Sequence, residues 1–381
     1  MRASLASPSA FAVLLLVAHG ALSSQTQSTR PRSSRVENTT RWPQGSPEDH
    51  SIDAAALQAL YSDMDQEPHR DLKGIVILRD GYLVSEHYFN GDSADTLHDI
   101  RSATKSITSL LMGIAIQKGL VHSVDDSIGL YLPDLPRDGK QRIAIRDLLN
   151  MRSGLDANDE DPSTPGNEDR LDESSDWIRS VYAVPMKRQP GETYVYCSIN
   201  AFLTGAIVEN ASHMPLDRFA AKNFFLPLGI TQYRWRHVPV DRITGQGNLE
   251  ITTRDEAAVG EFILNDGVVR KRRILDHGWI AKSVESQVAI SDSDPYADFY
   301  GYMWYTKAEP VSDHTVEVHF ASGNGGNKIY VIPSLHMVVA ITSSAYGRGY
   351  GQRRSQDILL KILSATNPDD HATAHLRSGK S

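Results

Sequence analysis

The chain carries its β-rich runs at its two ends and its helical patterns between them, and that distribution constrains the fold more than any single motif. Near the start, KGIVILRDGYLVSEHYF holds two such runs, residues 75–78 and 82–89, joined by Asp80-Gly81, a dipeptide that favours a tight hairpin turn. Late in the chain, FYGYMWYTK, TVEVHF, NKIYVIP and HMVVAITSS are four strand-like runs, and QDILLKIL closes with a helical pattern. This arrangement predicts an α/β chain of the α+β kind: one central antiparallel sheet made from both chain ends, flanked by helices, with a large, mainly helical insertion lying against it. No internal repeat suggests another organisation. The single cysteine, Cys197, excludes an intrachain disulfide, so the sheet must be held by packing alone.

Composition allows that. With 381 residues, 40% of them apolar and 23% charged, the chain is of the soluble globular class with ample core. A net charge of −8, with no concentrated basic stripe, would repel a phosphate backbone, so no nucleic-acid partner is expected. Residues 1–24 carry Arg2, an apolar stretch over 11–17 and then small residues, the pattern of a secretory signal; a merely disordered or amphipathic leader is the alternative. The stretch is shorter than the ~20 residues of a membrane span, and no cysteine follows for a lipid anchor, so no integral span is expected and the destination is secreted or periplasmic. Residues 25–50, rich in Ser, Thr, Arg, Pro and Gln, read as a disordered linker, 51–366 as the folded domain and 367–381 as a flexible tail.

One chemically suggestive stretch follows the hairpin. In DIRSATKSITSLLMGIA, Ser102 stands three residues ahead of Lys105 at the head of a helical pattern over 102–119, and this is the only Ser-x-x-Lys in the chain. Residues three apart share a helix face, so the amine can reach the hydroxyl, and a serine hydroxyl needs such a base to act as a nucleophile. To be that base Lys105 must lose its proton part of the time; moving it from ~10.4 to ~7 takes about 4 to 5 kcal/mol, which burial among apolar residues can supply. The helix start would favour negative charge developing on a carbonyl. The competing reading makes Ser102 an ordinary N-cap and Lys105 a solvated first-turn cation.

Two later segments bear on that choice. In PGETYVYCSINAFLTGAIVE, Tyr196 precedes a helical run, and a phenol beside a lysine can relay a proton between nucleophile and leaving group; Tyr194 is the rival, and a plain core aromatic the alternative. In HFASGNGGNKIYVIP, three glycines just before a strand let backbone approach a bound group closely. The amides of Ser102 and of a residue near Asn324 would make an oxyanion pair, unless the segment is a simple hairpin loop.

Together and in this order, these segments resemble the serine β-lactamase-like superfamily, and most closely its class C-like esterase branch with the 6-aminohexanoate-dimer hydrolases. The likeness runs from about residue 71 to 363 and includes AIRDLLNMRSGLD, LEITTRDEAAVGEFILNDG and YGYMWY. It implies a β-lactamase/transpeptidase-like fold, Ser102 as acylated nucleophile, Lys105 as its base and Tyr196 as proton relay. Ser198 then stands at the third position of a Tyr-x-Asn or Tyr-x-Ser motif, and Gly323 and the Asn324 amide flank the oxyanion. The segment 320–323 lacks the Lys-Thr-Gly of the penicillin-binding enzymes, which disfavours an anionic β-lactam. The expected activity is a serine hydrolase, of carboxylesterase or amidase type, acting on a small ester or linear amide without a cofactor. The alternatives are a cell-wall D,D-peptidase or β-lactamase, and a non-catalytic binding protein on the same fold.

Other chemistries fare worse. No Gly-x-Ser-x-Gly elbow marks a histidine-based hydrolase. Asp313, His314 and His319 lie along a strand-like run in which positions five apart face opposite sides, so no metal site is expected. The polar, acidic stretch 158–173 reads as a loop that covers the site and disfavours anionic substrates.

Overall fold

A computed structural model describes residues 41–240, 242–311 and 313–367. The proposed signal, most of the linker and the tail beyond Asn367 lie outside the described residues. At the front, β1 (Leu72–Arg79) and β2 (Tyr82–Tyr88) form the expected hairpin, and Asp80 and Gly81 both take the positive φ that such a turn requires. At the back, β3 (Val288–Ala289), β4 (Phe299–Gly301), β5 (Trp304–Val311), β6 (His314–Gly323), β7 (Asn327–Ile332) and β8 (Met337–Ser343) form a meander. The two ends join because β8 pairs antiparallel with β1, Val76 opposite Ala340. One eight-stranded sheet results, ordered β3-β4-β5-β6-β7-β8-β1-β2.

The strands β7 and β8 are buried on both faces, which is why they read as continuous apolar runs rather than alternating ones. Along these strands successive side chains face opposite ways, so each face takes its own helices. On one face lie α2 (Ala103–Gln117) and α4 (Thr253–Leu264), whose Gly260 rests on Val338 and Ile329. On the other lies α5 (Tyr350–Ser364), whose Gln356 bonds Glu309, packed beside α1 (Ala54–Asp65). The remaining large helix, α3 (Ser198–Ser212), packs against α2 from the insertion. Thus α2 is buried from Ala103 to Ala115, enclosed by α3 and the sheet, as its dense apolar spacing predicts.

The structure departs from the sequence reading in particular places. The packed body starts before residue 51: Trp42 is buried and donates its indole N–H to Glu261 at 2.6 Å. FYGYMWYTK is not one strand but two. Tyr302 and Met303 turn with positive φ because their amides are taken by the Asn150 side chain and the Leu149 carbonyl, partners supplied by the distant insertion. The stretch 158–173 is not all loop, since Glu168–Asp172 forms a helical turn capped by Asn167.

Candidate active site

The turn that leads into α2 bears on the two readings of Ser102. Asp99 Oδ1 accepts the Arg101 amide at 2.8 Å, Arg101 takes a positive φ, and Ser102 then occupies the N-cap position. Its hydroxyl, however, makes no capping bond; it accepts from Lys105 Nζ at 2.9 Å. Nor is Lys105 solvated: the residue is 1% exposed, and its Nζ also donates to the Gln246 carbonyl at 2.9 Å.

Tyr196 closes the group. It lies just before α3, with Lys105 Nζ 5.2 Å from its ring centre, and both Lys105 and Ser102 act on its phenol. Burial pushes the phenol up and outweighs the pull of Lys105. Lys105 answers differently from the sequence expectation. Burial drives it down, but the Tyr196 phenol and the Glu168 and Asp159 carboxylates outweigh that and hold it above its ordinary value. The rival Tyr194 packs its ring edge-on against Tyr300, 5.5 Å between centres, in the aromatic row that continues through Tyr305.

The glycine segment reaches the same place from the sheet. A side chain at Gly323 would put its Cβ 2.0 Å from the Ile100 carbonyl oxygen, so only glycine lets the end of β6 lie against the turn that carries Ser102. Asn324 follows in a turn braced from three sides: its Oδ1 accepts the Gly347 amide, its carbonyl accepts the Asn327 side chain, and Gly325 and Gly326 take positive φ. Ser198, the first residue of α3, is fully buried; its amide donates to Asp159 Oδ2 at 2.7 Å, while its hydroxyl has no partner. Ser102, Lys105, Tyr196 and Gly323 are thus brought together, with Ser198 behind Tyr196 and Asn324 one residue beyond Gly323.

Three participants were not singled out from the sequence. Gln246 acts through its carbonyl, which no residue type reveals. Asp159 lies in an acidic stretch whose other carboxylates looked equivalent. Lys328 of β7 is buried and donates to Ser322 Oγ at 2.8 Å, beside the Phe320 ring. Strand alternation puts Ser322, and with it Lys328, on the sheet face opposite to the one on which Gly323 meets Ser102. The reading that no lysine is available at the 320–323 segment is thus qualified: Lys328 stands opposite Ser322 across the β6–β7 pair, on the face that also carries Phe320 and Tyr305.

Over residues 58–362 the sequence matches the family described as Beta-lactamase. The chain belongs to the beta-lactamase family. Its architecture is likewise that of other beta-lactamase-fold proteins. A Bacillus anthracis protein described as a candidate 6-aminohexanoate-dimer hydrolase superposes with a TM-score of 0.69 at 17% identity, covering 84% of this chain and 87% of that one. The class C beta-lactamase of Rhodobacter sphaeroides gives 0.60 at 18%, covering 81% and 100%. The D-amino acid amidase of Ochrobactrum anthropi gives 0.61 at 20%, covering 82% and 98%. At such identities the likeness is one of fold. An Escherichia coli K12 protein described as a candidate D-alanyl-D-alanine carboxypeptidase is 31% identical over 147 residues, 36% of this chain; the match spans 33% of that relative's own length. The family is one of serine hydrolases, and this member carries its beta-lactamase-like fold.

Proposed function

We propose that this beta-lactamase-family protein is a serine hydrolase that works through an acyl-enzyme on Ser102 and cleaves small carboxylic esters or linear amides. The observation that carries the reading is the 2.9 Å contact between Ser102 Oγ and a buried Lys105, with Tyr196 beside both. The Ser102 proton passes to the Lys105–Tyr196 pair once that pair has lost its own. Oγ attacks the substrate carbonyl, and the oxyanion is met by the Ser102 and Asn324 amides. Tyr196 protonates the leaving group, and water attacks the acyl-enzyme by the reverse relay, releasing the acid.

The space beside Tyr196 supports a small substrate that is not an anion. A cavity of about 290 Å3 is lined by Tyr194, Tyr196, Tyr305, Asn158, Glu160 and Asp294. Its two carboxylates would repel a substrate carboxylate, and its aromatic walls suit an apolar or cationic group. Arg101, the cation next to Ser102, is turned onto the Tyr346 ring and paired with Asp99 at 3.4 Å. These features favour an esterase or amidase over a D,D-carboxypeptidase or β-lactamase. Among the described residues no helix is long and apolar enough to cross a membrane. From the leader pattern of residues 1–24 alone, we propose a secreted or periplasmic setting.

The Ser102→Ala variant tests the mechanism. Hydrolysis of a p-nitrophenyl ester should fall by about a thousandfold or more, and labelling by a fluorophosphonate should disappear. Undiminished turnover would show that the Ser102–Lys105 mechanism is wrong. A wild type that neither turns over nor labels would point instead to a binding protein. Comparing a neutral ester, a cephalosporin and a linear amide dimer reads out the substrate class.

A further inference from the structure

We propose that Asp159 is the positioning residue of this site, bracketing from both ends the segment that carries Tyr196. The proposal rests on the Ser102–Lys105 reading above and deepens it.

The bracketing is direct. The Asp159 amide donates to the Tyr196 carbonyl at 3.1 Å, and Asp159 Oδ2 accepts the Ser198 amide at 2.7 Å. A single residue therefore grips both ends of Tyr196-Cys197-Ser198 and fixes the backbone from which the phenol projects. The grip is itself held: Asn167 Nδ2 donates to the Asn158 and Asp159 carbonyls at 3.0 and 3.1 Å, and Thr164 Oγ1 donates to the Asn158 carbonyl. Asn167 and Thr164 are both buried, so this part of the acidic stretch is a fixed support rather than a loose cover.

The second carboxylate oxygen points to a role beyond that grip. Asp159 Oδ1 is buried without a partner, as are Ser198 Oγ and both polar side-chain atoms of Gln246, the residue whose carbonyl holds Lys105. A carboxylate needed only to cap α3 would be satisfied by the Ser198 amide. The groups that face Asp159 are Lys105 of α2, Glu168 of the 168–172 helix, and the Tyr196 phenol and Cys197 thiol of the bracketed segment. Burial pushes Asp159 up to about 6, against the pull of Lys105 and with the push of Glu168. Above that pH it is an anion whose charge acts on Lys105 through space, and such an anion raises the pH at which the ammonium yields its proton. Acylation needs that proton gone, because the Lys105–Tyr196 pair must take the one from Ser102 as the Oγ–carbon bond forms. Asp159 thus trades activity at neutral pH for an ordered Tyr196.

Two variants separate grip from charge. Asp159→Asn keeps an oxygen to accept the Ser198 amide and loses the charge; Asp159→Ala loses both. With p-nitrophenyl acetate, the rise of kcat/KM with pH should begin about one unit lower in Asp159→Asn, making it about tenfold faster at a fixed pH on that limb. Asp159→Ala should show the same displacement with a lower kcat, as the Ser198 end of the segment is released while the backbone bond to Tyr196 remains. Limbs that coincide with the wild type in an active enzyme would overturn the proposal. A readout without substrate keeps the two questions apart: the 13Cε signal of Lys105 should step with a midpoint near 6, as Asp159 titrates, and lose that step in Asp159→Asn. If the wild type hydrolyses nothing, the catalytic reading fails, and a Lys105 signal indifferent to Asp159 then sinks the coupling as well.

Discussion

Lys105 shows how burial and charge compete at a single residue. Apolar spacing around it announces burial, and burial alone would lower its proton affinity. The carboxylates and phenol that reverse the outcome lie 54 or more positions away in the chain and meet it only in the fold. Glu256 is the opposite case, a carboxyl 0% exposed with neither oxygen bonded, pushed well up by burial and by the charge of Asp255. Because its pKa is higher in the folded chain than in the unfolded one, the native state holds its proton longer. Stability therefore falls as pH rises from the unfolded value toward the folded one. Glu256→Met should raise stability at about pH 8 by about 1–3 kcal/mol and by less near pH 4, read by thermal unfolding at both. An unchanged or lower melting temperature at pH 8 would show that the acid is satisfied by buried water.

Among the elements, the contact between β6 and the start of α2 matters most, because it sets the end of the strand against the turn that carries Ser102. That strand was legible as TVEVHF, and the glycines after it as a place of close approach. What approached was not, since a glycine records only the absence of a side chain. Gly323→Ala should separate strand and turn, destabilising the protein by about 1–3 kcal/mol and slowing acylation by about a hundredfold, as measured by denaturant unfolding and burst kinetics. A rate loss no greater than the stability loss explains would argue that Asn324 does not serve the oxyanion. The split of FYGYMWYTK into β4 and β5 was illegible for a related reason: the residues that turn it, Leu149 and Asn150, are on another element.

For the whole molecule, the joining of the two chain ends is the central fact, and Arg354 fastens it. The residue is 7% exposed, and its guanidinium donates to Glu67 at 2.5 Å, Asp71 at 2.6 Å and Ser343 Oγ at 2.7 Å, tying α5 to the segment before β1 and to the end of β8. Removing it strands two partly buried carboxylates. Arg354→Ala should cost about 2 kcal/mol or more, and a melting temperature within a degree or so of the wild type would show that the sheet closes by apolar packing alone. Asp71, held below its ordinary value despite its burial by Tyr350 and Arg354, stabilises the join above the unfolded carboxylate pKa and ceases to as pH falls through the folded one. The join should therefore loosen in acid.

Local pattern was enough to determine the front hairpin, most of the late strands, the sheet built from both chain ends, and the Ser102–Lys105 pair, because hydrophobic period, turn chemistry and a three-residue spacing act over a few neighbouring residues. Tertiary structure alone decided which carboxylates surround Lys105, which carbonyl holds it, and on which sheet face Lys328 lies. Those are matters of distance through space, and electrostatic energy depends on that distance whatever the separation along the chain.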